Sequence, residues 1–226
     1  MTIVNKQLIN FCNDITSVGA SSRGNNFDET VLDKLKKHLP KAKFVSTETF
    51  CSKDKDSIYK DYSKITHNNV FDFSQLPTII DNNKELNLMI VDKPNGSQKW
   101  PDLLVINNGI GLPIEVKSSK NDKIVWNCSL PKPNSLYIFN CYGKSKTTCF
   151  LGQHAISKNE VDFLKEITEE TIKFNVNNER WGYYVRNMFN SNQRFFKNEE
   201  TRLDIENNTK EYLSTLPWNN SQTITF

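Results

Sequence analysis

The chain has 226 residues, of which 37% are hydrophobic, 11% aromatic and 24% charged, with a formal net charge of +3. That is enough apolar material for a substantial core and too much for a disordered chain. No run of 18 apolar residues is present, which excludes a membrane-spanning helix, and the mildly basic balance permits a nucleic-acid partner without requiring one.

The opening stretch, MTIVNKQLINFCND, is broken by polar residues every two or three positions and predicts no secretory leader. Residues 3–17 read as a helix with Ile3, Leu8, Ile9, Phe11, Cys12 and Ile15 along a rough stripe. Residues 27–39 are a clearer one, with Val31, Leu32, Leu35 and Leu39 on one face, lysines on the other, and Pro40 as the stop. Residues 52–76 are polar and carry no clear period. Strands are then expected at Leu86–Asp92, Asp102–Asn107, Leu112–Lys117, Ile124–Asn127, Leu136–Tyr142 and Thr147–Gly152, with a turn at Lys93-Pro94-Asn95-Gly96. Ser157 and Glu160 form a capping box for a helix carrying Val161, Leu164 and Ile167. The last fifty residues mix Arg, Asn and aromatics. No linker or repeat divides the chain, so it reads as a single α/β (α+β) domain over 1–226, a mixed sheet flanked by helices with elaborations, its core roughly 24–175.

Five cysteines (Cys12, Cys51, Cys128, Cys141 and Cys149) are odd in number, scattered, and form no CxxC. They read as reduced thiols of a cytoplasmic protein, and a zinc site is not expected. His38, His67 and His154 are too far apart for an HExxH motif.

Chemistry concentrates between Trp100 and Lys117. Asn108-Gly109 is a strong hairpin signal, because a type I′ turn needs positive φ at both central residues. If these two make the turn, opposed residues have numbers summing to 217: Asn107 faces Ile110, Val105 faces Leu112, and Asp102 faces Glu115. Opposed Cβ atoms lie roughly 4.5–5.5 Å apart. Strand alternation sets Lys117 beside Glu115 and turns Ile114 and Val116 to the other face. Two opposed carboxylates repel, and a divalent cation between them reverses the sign. Hard oxygen ligands of this kind suit Mg²⁺. The alternative is a surface hairpin with a Glu–Lys pair, but apolar strands on both sides imply a covered sheet, where lone carboxylates are costly.

Pro101-Asp102 and Glu115-Val116-Lys117, with twelve residues between the acids, resemble the PD-(D/E)xK nuclease superfamily and, within it, the type II restriction endonucleases. The motif covers about twenty residues. The resemblance implies a restriction-endonuclease-like core and a bacterial, Mg²⁺-dependent enzyme that hydrolyses double-stranded DNA at a specific site, leaving 5′-phosphate and 3′-hydroxyl ends. It implies that Asp102 and Glu115 bind the metal, with the Val116 carbonyl a further ligand, and that Lys117 orients the attacking water or stabilises the charge on the phosphate. It also implies a homodimer acting on palindromes. Two alternatives stay open: a repair or junction-resolving nuclease of the same superfamily, and a DNA-binding module without catalysis.

Many members of that superfamily add an acid from the first core helix. Asp28, which shares a face with Val31 and Leu35, is the candidate here, with Glu29 as the cap. An ordinary helix N-terminus favouring acids accounts for both equally well. Lys93, Asn95, Gln98 and Lys99 form either a polar turn or a loop touching phosphate at the mouth of the site. Gln153 and His154, and further on Arg186, Asn190 and Arg194, are candidates for DNA contact, set against structural roles for His154 and for the aromatics around Arg186. Five Arg against 29 Asn lean toward A·T-rich targets, since Arg pairs best with guanine and Asn with adenine. An A·T-rich genome would enrich Asn in the same way.

Overall fold

The computed structural model describes residues 1–19, 25–47, 78–79, 88–96, 100–127, 130–164, 166, 188–190 and 194–218. The polar stretch 52–76 and most of 167–187 lie outside them.

Helix α1 (Ile3–Thr16) is capped by Thr2, whose hydroxyl accepts from the Asn5 N–H at 2.9 Å. Its buried stripe of Leu8, Phe11, Cys12 and Ile15 follows the helical period. Helix α2 (Asn25–His38) buries Phe27, Val31 and Leu35. It opens with Asp28 and closes with Lys36, Lys37 and His38, a charge order that matches the helix dipole. Asp14 ties the two helices, receiving Lys34 Nζ at 2.6 Å and His38 Nε2 at 2.9 Å. Those two hydrogen bonds hold its carboxyl at about 2, below the usual range.

The strands are β1 (Lys43–Val45), β2 (Thr78–Ile79), β3 (Met89–Asp92), β4 (Leu103–Asn107), β5 (Ile110–Ser119), β6 (Val125–Asn127), β7 (Leu136–Cys141), β8 (Lys146–Leu151) and β9 (Met188–Asn190). The main sheet runs β1-β3-β4-β5-β7-β8, with β2 paired to the start of β5. β1 is parallel to β3 and β5 to β7, and the other pairs are antiparallel, so the sheet is mixed. β6 leaves this sheet and pairs antiparallel with β9, although it reads in the sequence as one more strand of the same cluster.

Alternation along β5 divides the molecule. Leu112, Ile114 and Val116 join the α1 and α2 side chains in the larger apolar cluster. On β7, Tyr137 and Phe139, the register partners of Glu115 and Lys117, belong to a second cluster with Ile124, Trp126, Phe195 and Phe196. Beyond β8 a 3-10 turn (Gly152–His154) leads to a short helix, α3 (158–164), opened by the predicted capping box: Ser157 N–H donates to Glu160 Oε2 at 2.7 Å.

Helix α4 (Glu199–Thr215) packs along β8 and α1, which covers that edge of the sheet. Buried Glu206 accepts from Thr148 Oγ1 at 2.8 Å and pairs with Arg202. The end of α4 is closed from across the fold. Buried Asn5 donates through Nδ2 to the carbonyls of Leu213, Ser214 and Leu216 at 2.7, 3.2 and 3.0 Å. Cys12, Cys141 and Cys149 are free and buried. Among the described residues no helix is long and apolar enough to cross a membrane.

Candidate active site

The β4–β5 hairpin turns where the sequence predicts. Asn108 and Gly109 have φ of +50° and +73°, the left-handed pair a type I′ turn requires. The register is Leu103 with Ile114, Val105 with Leu112 and Asn107 with Ile110. One step beyond the paired residues lies Asp102, alongside Glu115.

Each acid is fixed by main chain from the opposite strand. Val116 N–H donates to Asp102 Oδ2 at 2.7 Å, and Asp102 N–H donates to Glu115 Oε2 at 3.2 Å. Lys117 Nζ lies 2.5 Å from Glu115 Oε1. The three side chains of the motif therefore converge at the open end of the hairpin, where a ladder of β4–β5 hydrogen bonds gives way to side-chain bonds across the same two strands.

Burial dominates the electrostatics. Glu115 is 7% exposed, and desolvation pushes its carboxyl up to about 7, against the pull of the Lys117 charge. Asp102 is also raised by burial, against the Val116 N–H and the charges of Lys117 and Lys93. Burial in low dielectric disfavours the charged form, and a second carboxylate alongside adds to it.

Asp28, on α2, comes to the same place. Its carboxyl is raised to about 6 by burial first and by the charge of Asp102 second, with Lys93 and Lys117 opposing. The acid suggested from the first core helix thus stands within electrostatic reach of the hairpin acids. Its neighbour Glu29 is exposed.

Lys93 sits in the turn after β3 with φ of +45°. Its N–H donates to the Asp102 carbonyl at 2.7 Å, and its side-chain charge acts on Asp102 and Asp28. Asn95 serves the turn itself, donating through Nδ2 to the Trp100 carbonyl at 2.7 Å. Gln98, Lys99 and Arg186 lie outside the described residues.

The other candidates lie elsewhere. Gln153 and His154 occupy the 3-10 turn after β8. His154 Nδ1 accepts from the Leu151 N–H at 3.3 Å and faces Thr209 Oγ1 of α4 at 3.4 Å, and burial lowers its pKa. Asn190 ends β9 opposite Val125. Arg194 is exposed and acts electrostatically on Asp122.

One residue escapes sequence reasoning. Lys132, between β6 and β7, is 9% exposed, and its Nζ stands 5.6 Å from the centroid of the Trp100 ring. Burial lowers the amine to about 8, while the Glu115 charge pulls it back up. In the sequence it is a lysine between Pro131 and Pro133, which looks like a solvated turn. Only the fold brings it to Glu115.

Among the described residues no group of three or more His, Cys, Asp or Glu side chains is placed to hold a metal ion. The donor set at the hairpin is smaller: two adjacent carboxylates, both held against their preference for the neutral state. Mg²⁺ is commonly held by one or two protein carboxylates and completes its shell with water and phosphate oxygens, so Asp102 and Glu115 fit it. No family model, curated protein or solved structure matches this chain.

Proposed function

We propose that the protein is a Mg²⁺-dependent, site-specific endonuclease of double-stranded DNA, built on a restriction-endonuclease-like core and acting as a homodimer in a bacterial cytoplasm. The proposal rests on one observation: Asp102 and Glu115 are locked together by reciprocal main-chain hydrogen bonds, with the Lys117 ammonium on Glu115. A surface hairpin has no need to bury two carboxylates side by side, and their desolvation is a standing cost. The motif resemblance names a chemistry that uses this arrangement.

In that chemistry Asp102 and Glu115 hold the metal ion, with the Val116 carbonyl as a further ligand. The bound ion would lower the pKa of a coordinated water and polarise the phosphate. Lys117 directs the water and offsets charge on the phosphate. The water oxygen bonds to phosphorus, the bond from phosphorus to the 3′ oxygen breaks, and a proton goes to that oxygen. The products are a 5′-phosphate and a 3′-hydroxyl. Asp28 supports the acid pair from α2, and Lys93 lies where a phosphate would approach.

Digesting a plasmid of known sequence in Mg²⁺ and mapping the ends tests this directly. Discrete bands with 5′-phosphate termini at one repeated sequence support it. Structure-dependent cutting moves the protein to a repair or junction-resolving role, and DNA binding without any metal-dependent nicking overturns the enzymatic reading.

A further inference from the structure

We propose that Lys132 is a second catalytic cation, which binds a non-bridging oxygen of the scissile phosphate from the side of the site opposite Lys117. This rests on the endonuclease reading above and adds a residue that lies outside the motif.

The main chain around Lys132 is held on all sides. Its N–H donates to the Tyr137 hydroxyl at 2.8 Å, and its carbonyl accepts from the Ser135 N–H at 3.1 Å. Gly152 N–H and Gln153 N–H bond the carbonyls of Ser135 and Pro133 at 3.0 and 3.1 Å. Gly152 presses so close that a Cβ there would stand 1.9 Å from the Lys132 carbonyl oxygen. Tyr137, which anchors the loop, is the register partner of Glu115 on the neighbouring strand. The loop is thus indexed to the acid pair, and its lysine cannot drift.

The side chain is buried with its amine over Trp100, two residues before Asp102. A lysine is rarely this buried without a task for its charge. Charge arithmetic supplies one. Asp102 and Glu115 together carry two negative charges, and a divalent ion neutralises both. Lys117 and Lys132 then lose their carboxylate neighbours as electrostatic partners and face the phosphodiester, which gains a further negative charge as the water adds. One lysine comes from β5 and the other from the loop before β7, so two different oxygens can be served.

The test compares wild type with Lys132→Met and Lys132→Gln, each checked for folding by thermal melting. The substrates are a supercoiled plasmid in Mg²⁺ and, for binding in Ca²⁺, a short duplex carrying the mapped cut. Loss of one donor to the reacting phosphate should lower turnover by about a hundredfold or more. Loss of one phosphate contact should reduce the slope of log affinity against log salt by about 0.9, a readout that a purely structural lysine would not move. Turnover within threefold of wild type, or an unchanged slope, overturns the proposal. If neither neutral variant folds, ¹⁵N-lysine-labelled wild type decides. The Lys132 Nζ resonance, assigned as the one absent from Lys132→Arg, should move on adding duplex, and a stationary resonance overturns the proposal. A wild-type protein that cuts nothing overturns the endonuclease reading itself, whereas a cutting wild type with equally active Lys132 variants overturns this inference alone.

Discussion

Lys117 Nζ and Glu115 Oε1 are 2.5 Å apart, so without metal the lysine neutralises the carboxylate that a metal ion needs. The two cations compete for one oxygen. Lys117→Ala should therefore bind Ca²⁺ at least as tightly as wild type by calorimetry, while plasmid cleavage in Mg²⁺ falls by about a hundredfold or more. Weaker metal binding in Lys117→Ala would mean that the lysine organises the acids rather than the reaction.

Asp102→Asn and Glu115→Gln should each abolish cleavage and leave specific DNA binding in Ca²⁺ largely intact, as seen by gel shift. Full activity in either would remove the site assignment. Chelation with EDTA should stop wild-type cleavage, and added Mg²⁺ should restore it.

The raised acids set a pH dependence of stability. Glu115 titrates at about 7 in the fold against an ordinary 4.5. Between those values the folded chain keeps a proton that the unfolded chain has released. This stability is full below the ordinary value and is lost as pH rises through about 7. Without metal, Glu115→Gln should therefore melt higher than wild type at pH 8 and close to it at pH 4. His154 and Lys132, whose pKa values are lowered, contribute in the opposite direction, and comparing the variant with wild type cancels them. A melting difference that does not change with pH would place the Glu115 carboxyl outside the buried pair.

Asp28→Asn should slow cleavage by about 10–100-fold, the usual effect of losing a group that supports metal ligands. It should also move the acid limb of the pH–rate profile downward, because Asp102 ionises more easily without a negative neighbour. A wild-type rate and profile would return Asp28 to a plain helix-opening role.

Asn5→Ala offers a control away from the chemistry. It strips hydrogen bonds from three carbonyls at the end of α4 and should cost about 1–3 kcal/mol in denaturant unfolding, with turnover per folded molecule unchanged.

The hairpin was the most legible part of the sequence, because Asn108-Gly109 dictates a turn and the turn dictates a register. Local periodicity likewise placed α1 and α2 to within about two residues. Helix α4 went unread. Its buried positions include Glu206 and Thr209, so it lacks a plain apolar stripe, and only the Asn198 cap followed by Glu199 and Glu200 signalled its start. β6 was found as a strand but assigned to the main sheet, since its partner β9 lies about sixty residues further on and nothing local announces the pairing. Lys132 was missed for the same reason: its meaning depends on which strand lies next to β5.

The bend of the β4–β5 ribbon is gripped as well as its acids. Asn107 and Asn108 both donate through Nδ2 to the Trp218 carbonyl, at 3.3 and 2.9 Å. The ribbon is thereby clamped at one end by a remote stretch of chain and armed at the other. Residues around the armed end can change to suit a new target while the clamp keeps the reacting groups aligned, so a diverging lineage could retarget this scaffold without rebuilding its interior.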